Sequence, residues 1–127
     1  MSNSFPKEEK LKSRKLIEKL FSDGKSVSKF PLKLVFIPLT EHQSTSVNVL
    51  AGFSVPKRKF KKAVDRNHIK RLIRESYRLQ KTTLFNNLPT SYAFMFLYLG
   101  KEQPSFIQLN KSMEQLLNRF LKQINKQ

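Results

Sequence analysis

Between residues 66 and 78 the chain carries Arg66, Lys70, Arg71, Arg74 and Arg78, with Asn67 and His68 among them. Guanidinium, ammonium and amide groups are hydrogen-bond donors without a compensating set of carboxylates, so their shared chemistry is the capture of anionic oxygen. Arginine adds a planar fork that meets a phosphate bidentately, which a lysine point charge does not reproduce. At ~100° per residue, with Arg66 at zero, Lys70 falls near ~40°, Arg74 near ~80°, Asn67 near ~100°, Arg78 near ~120° and Arg71 near ~140°. Ile69, Leu72, Ile73 and Ser76 occupy the arc from ~240° to ~340°, which is the stripe expected to face a core. Glu75 is the only acidic residue between Arg66 and Lys81, and at ~180° it lies outside the cationic arc. A merely solvated helix face mixes charges of both signs; this one is a directed basic surface. Ahead of it, Lys57, Arg58, Lys59, Lys61 and Lys62 form a basic connector of the same sign, read as an extension of that surface.

Other site chemistries find little support. There is no cysteine, which removes disulfides and thiolate metal sites. His42 and His68 are the only histidines, and no further ligands stand at metal-binding spacing around them. No nucleophile-histidine-carboxylate pattern or glycine-rich phosphate loop is present. Asp65 suits the N-terminal end of a helix dipole and is given no catalytic role.

The whole chain shares the sign of the helix. Twenty-five Lys and Arg against nine Asp and Glu give a formal net charge of +16 over 127 residues. Such a charge repels itself in a compact fold and implies a polyanionic partner, whose phosphates release counterions on binding. A hydrophobic fraction of 39% suits one folded domain. The first residues lack an apolar signal core. The longest apolar run, Tyr92 to Leu99, is far shorter than the ~20 residues of a membrane helix. These features together read as a cytoplasmic protein with no membrane partner.

The elements that must position the basic helix follow from pattern. Residues 1–12 read as a flexible polar segment ahead of one domain, 13–127. Ser13 can cap a helix reaching about Phe21, with Leu16, Ile17, Leu20 and Phe21 at helical spacing and Gly24 as its stop. Leu32 to Ile37, between Pro31 and Pro38, and Val47 to Val55 read as strands, separated by a polar loop from Thr40 to Ser46. The basic helix runs from about Ala63 to Lys81. A third strand, Ser91 to Leu99, is hydrophobic almost throughout and is expected to be covered on both faces, with Tyr92 and Tyr98 at its ends the more exposed. Ser105 caps a final helix bearing Phe106, Leu109, Met113, Leu116, Leu117 and Phe120 on one side. The order helix-strand-strand-helix-strand-helix predicts an α/β (α+β) two-layer sandwich.

Gly52-Phe53-Ser54-Val55-Pro56-Lys57-Arg58, followed by the run from Ala63-Val64-Asp65-Arg66-Asn67-His68 to Glu75-Ser76-Tyr77-Arg78, resembles the signature of the bacterial ribonuclease P protein family. Leu11-Lys12 and the Phe21-x-x-Gly24 ending of the first helix match as well. Two positions depart from the pattern. His68 stands where a second arginine is common, and a histidine is only partly charged near neutral pH. Phe60 stands where some members have glycine.

The resemblance implies a fold like the second domain of ribosomal protein S5, with a left-handed β-α-β crossover against the usual right-handed rule. It implies a protein subunit without catalytic side chains, partnered by a catalytic RNA that removes the 5′ leader from precursor tRNA. The protein itself takes no cofactor; Mg2+ enters through the RNA subunit. Arg66, Asn67, His68, Lys70, Arg71, Arg74 and Arg78, with Lys57, Arg58, Lys61 and Lys62, would face RNA. Ile17, Phe21, Lys33 and Val35 would line a cleft for the single-stranded leader; only Phe21 of these offers a ring for base stacking. The competing reading is a ribosomal or ribosome-assembly RNA binder with no nuclease role. A DNA-binding protein is disfavoured because a strand, not a helix-turn-helix partner, precedes the basic helix.

Overall fold

The computed structural model describes residues 9–39 and 48–125. Helix α1 (Arg14–Asp23) starts where the Ser13 hydroxyl accepts from the Leu16 N–H, and ends at Gly24, whose N–H donates to the Leu20 carbonyl. A Cβ at Gly24 would lie 2.2 Å from the Leu20 oxygen and 2.9 Å from Val35 Cγ1. Space, rather than a left-handed backbone, therefore requires glycine here, and the chain passes directly into β1 (Lys25–Lys29).

That strand is absent from the expected element order. Its sequence, Lys-Ser-Val-Ser-Lys, offers a single apolar side chain, Val27, because β1 is an edge strand pairing only with β2 (Leu32–Pro38). Lysines on an exposed edge also discourage pairing with another chain. Strand β3 (Val49–Ser54), helix α2 (Ala63–Phe85), strand β4 (Tyr92–Tyr98) and helix α3 (Phe106–Ile124) complete the domain. The sheet order is β1-β2-β4-β3, with β3 parallel to β4 and the other neighbours antiparallel. Helix α2 is the crossover between the parallel pair. It runs past the expected end at Lys81 to Phe85, since no glycine or proline intervenes and Leu84 still reaches the core.

Alternation along the strands divides the interior in two. Leu32, Leu34 and Phe36 of β2 and Phe94 and Phe96 of β4 face α2 and α3. Phe120 packs edge-on against Phe36 and Phe94, with ring centroids 4.8 and 4.9 Å away. Burying each such ring is worth about 1.5–3 kcal/mol. On the opposite face, Val35, Ile37, Ala93 and Met95 meet Leu16 and Leu20 of α1. Tyr92 and Tyr98, expected to be the exposed ends of β4, are buried at 6% and 3% exposure. Strand β4 lies inside the sheet, so even its ends are covered; Tyr98 packs on Phe60 and its hydroxyl donates to the Glu102 carbonyl.

Residues 9–12, expected to be part of a loose segment, instead lie against β3. The Leu11 N–H donates to the Ala51 carbonyl at 3.0 Å, and Lys81 Nζ donates to both Glu9 carboxylate oxygens at 2.9 and 3.1 Å. Leu11 is the physical reason: its side chain packs on the apolar face beneath α1. The remaining expectations for residues 1–8 and for the loop containing His42 lie outside the described residues.

Candidate nucleic-acid interface

The buried side chains of α2 are Ile69, Ile73, Ser76, Tyr77 and Leu84, a stripe from ~280° through zero to ~20° on the scale above. Tyr77 was absent from the expected stripe. It lies between the longitudes of Arg66 and Lys70, where its neighbours in sequence suggest a polar face, yet its ring packs 5.3 Å from that of Phe96. Burial pushes the Tyr77 hydroxyl well above its usual titration range.

This shift of the stripe changes the reading of Arg66. Its longitude coincides with that of Leu84, and it stands half-buried in the first turn, beside the connector. Arg66 Nη1 donates to the Phe60 and Lys61 carbonyls at 2.8 and 2.9 Å. Its fork thereby fixes the connector, in addition to any outward contact. Phe60 is the connector's second anchor, 7% exposed and tilted against Tyr98 at 5.9 Å. Ahead of these anchors the chain makes a tight turn, with the Lys59 and Phe60 N–H groups donating to the Pro56 carbonyl. Lys57 and Arg58 are left exposed on the turn, and Lys61 and Lys62 on the stretch between Phe60 and α2.

Farther along α2, Asn67, His68 and Arg71 are exposed and Lys70 and Arg74 half-buried. Asn67, Lys70, Arg71 and Arg74 form the unobstructed part of the cationic arc, and His68 lies beyond it at ~200°. Arg78 differs: its Nε and Nη2 both donate to the Glu75 carboxylate. Glu75 was expected to lie outside the arc, but one turn of helix brings its carboxylate across to the guanidinium. The hydrogen bond from Arg78 holds Glu75 below the usual carboxylate range and moves Arg78 up.

The proposed cleft residues divide in the same way. Ile17 and Phe21 are one helical turn apart on α1, hence on one side of it; Ile17 packs on the apolar face below, while Phe21 is 55% exposed. Val35, expected to line the cleft, is 7% exposed and lies beneath Gly24, in the core under α1. It forms the floor rather than a contact surface. Lys33 is half-buried, pairs with Leu97 of β4, and Leu97 pairs in turn with Ser54 of β3. This half-open row of Lys33, Leu97 and Ser54 is the accessible part of the sheet beside α1. Leu97 and Ser54 were not among the expected cleft residues, and no signal in the sequence sets Leu97 apart, since it continues the apolar run of β4 and is half-open only because of its place in the sheet. Among the described residues, no three His, Cys, Asp or Glu side chains converge as a metal cage, and no helix is long and apolar enough to cross a membrane.

The family model described as Ribonuclease P matches residues 5–121. The ribonuclease P protein component of Porphyromonas gingivalis is 34% identical over 116 residues, covering 89% of this chain and 83% of the relative. That of Chlorobium phaeobacteroides is 36% identical over 129 aligned residues, covering 91% and 87%. Two solved structures share the fold. The Staphylococcus aureus RNase P protein superposes with a TM-score of 0.70 at 22% identity, over 87% of this chain and 93% of its own. The Thermotoga maritima RNase P protein gives 0.67 at 23% identity, over 87% and 96%. With the matched family model spanning the connector, the cationic helix and both layers around the sheet, the chain belongs to the bacterial ribonuclease P protein family.

Proposed function

We propose that the chain, an RNA-binding component of ribonuclease P, meets the ribonuclease P RNA through the exposed arc of α2 and its connector. The observation that carries this reading is the continuity of β3, the pinned turn at Lys57 and Arg58, and a helix face presenting Asn67, Lys70, Arg71 and Arg74. Cations held on a rigid helix lower the repulsion between two RNAs brought together, and so lower the magnesium concentration required. The catalytic groups and the catalytic magnesium belong, on this reading, to the RNA; the protein supplies binding and screening. The single-stranded leader of precursor tRNA lies along Lys33, Leu97 and Ser54, with a base against the Phe21 ring. A ribosomal role is not favoured, since the relatives and the family model both belong to ribonuclease P.

The test is cleavage of a leader-bearing precursor tRNA by the cognate RNA subunit at limiting magnesium, with and without the protein. Enhanced cleavage at the mature 5′ end is expected; no enhancement overturns the proposal.

A further inference from the structure

A second cationic surface lies away from both α2 and the cleft. Helix α3 packs over β1 and β2, whereas α2 packs beside β3, so their outer faces lie toward opposite edges of the sheet. On α3, Lys111, Gln115, Lys122 and Arg119 fall within an arc of ~80°, and Glu114 lies outside it. Arg119 donates to the Ser28 carbonyl, tying this arc to strand β1. Beside it, the β1–β2 turn, the loop after β4 and the start of α3 enclose an open groove of about 810 Å³. The charged side chains lining the groove are Lys29, Lys101, Lys111 and Glu102, a net charge of +2. At its rim stands Phe30, with 69% of its surface exposed.

We infer that this groove and the adjoining face of α3 form a second binding surface for single-stranded RNA, in which an unpaired base stacks on Phe30 and the backbone runs along Lys29, Lys111 and Lys122. An exposed ring flanked by cations is the combination that grips single strands without reading their sequence: every base has a π-face and every linkage a phosphate. A duplex buries its base faces and leaves only the charges to act. A peptide of acidic residues alone, such as polyglutamate, would use the lysines but has no flat ring to place on Phe30.

The experiment uses the full chain, labelled with 15N, titrated with a ten-nucleotide oligouridylate and followed by amide chemical shifts. Saturating shifts are expected at Lys29, Phe30 and the Lys111–Lys122 face, separate from those of α2. Phe30→Ala should weaken this site about fivefold or more. Lys111→Glu with Lys122→Glu should reduce its salt slope by about one to two. Because these side chains are exposed, the variants should keep the wild-type spectrum elsewhere. Shifts confined to α2 and the α1 cleft would overturn the inference while leaving the proposed function standing. Equal shifts at Phe30 with an RNA duplex or with polyglutamate would overturn the stacking of an unpaired base. If the α3 face responds as expected while the protein fails to enhance precursor cleavage by the RNA subunit, the failure belongs to the proposed function alone.

Discussion

Arg66 and Arg71 carry the same charge on the same helix, but their surroundings give them different work. Two backbone carbonyls of the connector accept from Arg66, whereas Arg71 is exposed on the open arc. Arg66→Ala should therefore cost about 1 kcal/mol of folding stability, as the carbonyls lose a charged donor, and Arg66→Lys should recover only part of it. Arg71→Ala should leave the denaturation midpoint unchanged and lower the slope of log K against log salt by about one. Equal losses of stability in the two variants would show that the connector does not depend on Arg66. Glu75 provides a second contrast, since it occupies the Arg78 fork. Glu75→Gln should release Arg78, tighten binding to the ribonuclease P RNA at low salt and steepen the salt slope; weaker binding would mean that the pair itself positions Arg78. The lowered carboxyl of Glu75 also sets a sign for acid. Its contribution to stability is present above the unfolded carboxylate value of about 4.3 and is lost as pH falls through its lower folded value. The difference in stability between the wild type and Glu75→Gln should thus be constant near neutrality and shrink below pH ~4. The cationic identity of these residues was readable from their types and spacing. Their division of labour was not, because it depends on the fold of the connector, which brings the Phe60 and Lys61 carbonyls to Arg66, and on Glu75 reaching across to Arg78.

At the scale of elements, the junction of α1, β1 and β2 shapes the proposed leader cleft. Gly24 lets the chain turn from helix to edge strand where a Cβ would collide with the Leu20 carbonyl and Val35. Gly24→Ala places a methyl group against the Leu20 carbonyl, a backbone atom with little freedom to yield. A loss of about 1–3 kcal/mol in chemical denaturation is expected, typical of overpacking. Because α1 would have to lift, binding of a leader oligonucleotide should weaken while binding to the RNA subunit is kept; wild-type stability would show that the junction yields freely. The helices here were legible because caps and periodicity agree: Ser13 and Ser105 both accept from N–H groups of their first turns. Strand β1 was illegible for the opposite reason. Its outward Ser and Lys side chains meet solvent, and its place is dictated by pairing with β2, including Val27 opposite Leu34. The same applies to Val35: a strand residue shows its period in sequence, but not which helix will cover it.

For the whole molecule, the sheet separates the two proposed RNA surfaces. Helix α1 packs on one face, and α2 and α3 on the other, so Phe21 and Arg71 share neither a packing partner nor a layer. Sites without shared partners contribute independently, within about 0.3–0.5 kcal/mol. Phe21→Ala should leave assembly with the RNA subunit intact and reduce the discrimination between precursor and mature tRNA, by the worth of one stacked base, about 1–3 kcal/mol. Arg71→Ala should weaken assembly without changing that discrimination once the complex is saturated. Assembly and precursor affinity measured for both single variants and the double variant form a cycle whose coupling should be near zero. The net charge of +16 makes salt the necessary control, since long-range attraction falls off beyond a Debye length of about 8 Å at physiological ionic strength. If coupling appears at low salt and vanishes at physiological salt, it is the general field of the protein acting on both RNAs. Coupling above about 1 kcal/mol that persists at physiological salt would mean that RNA subunit and leader share one continuous surface, and the division of labour across the sheet would have to be abandoned.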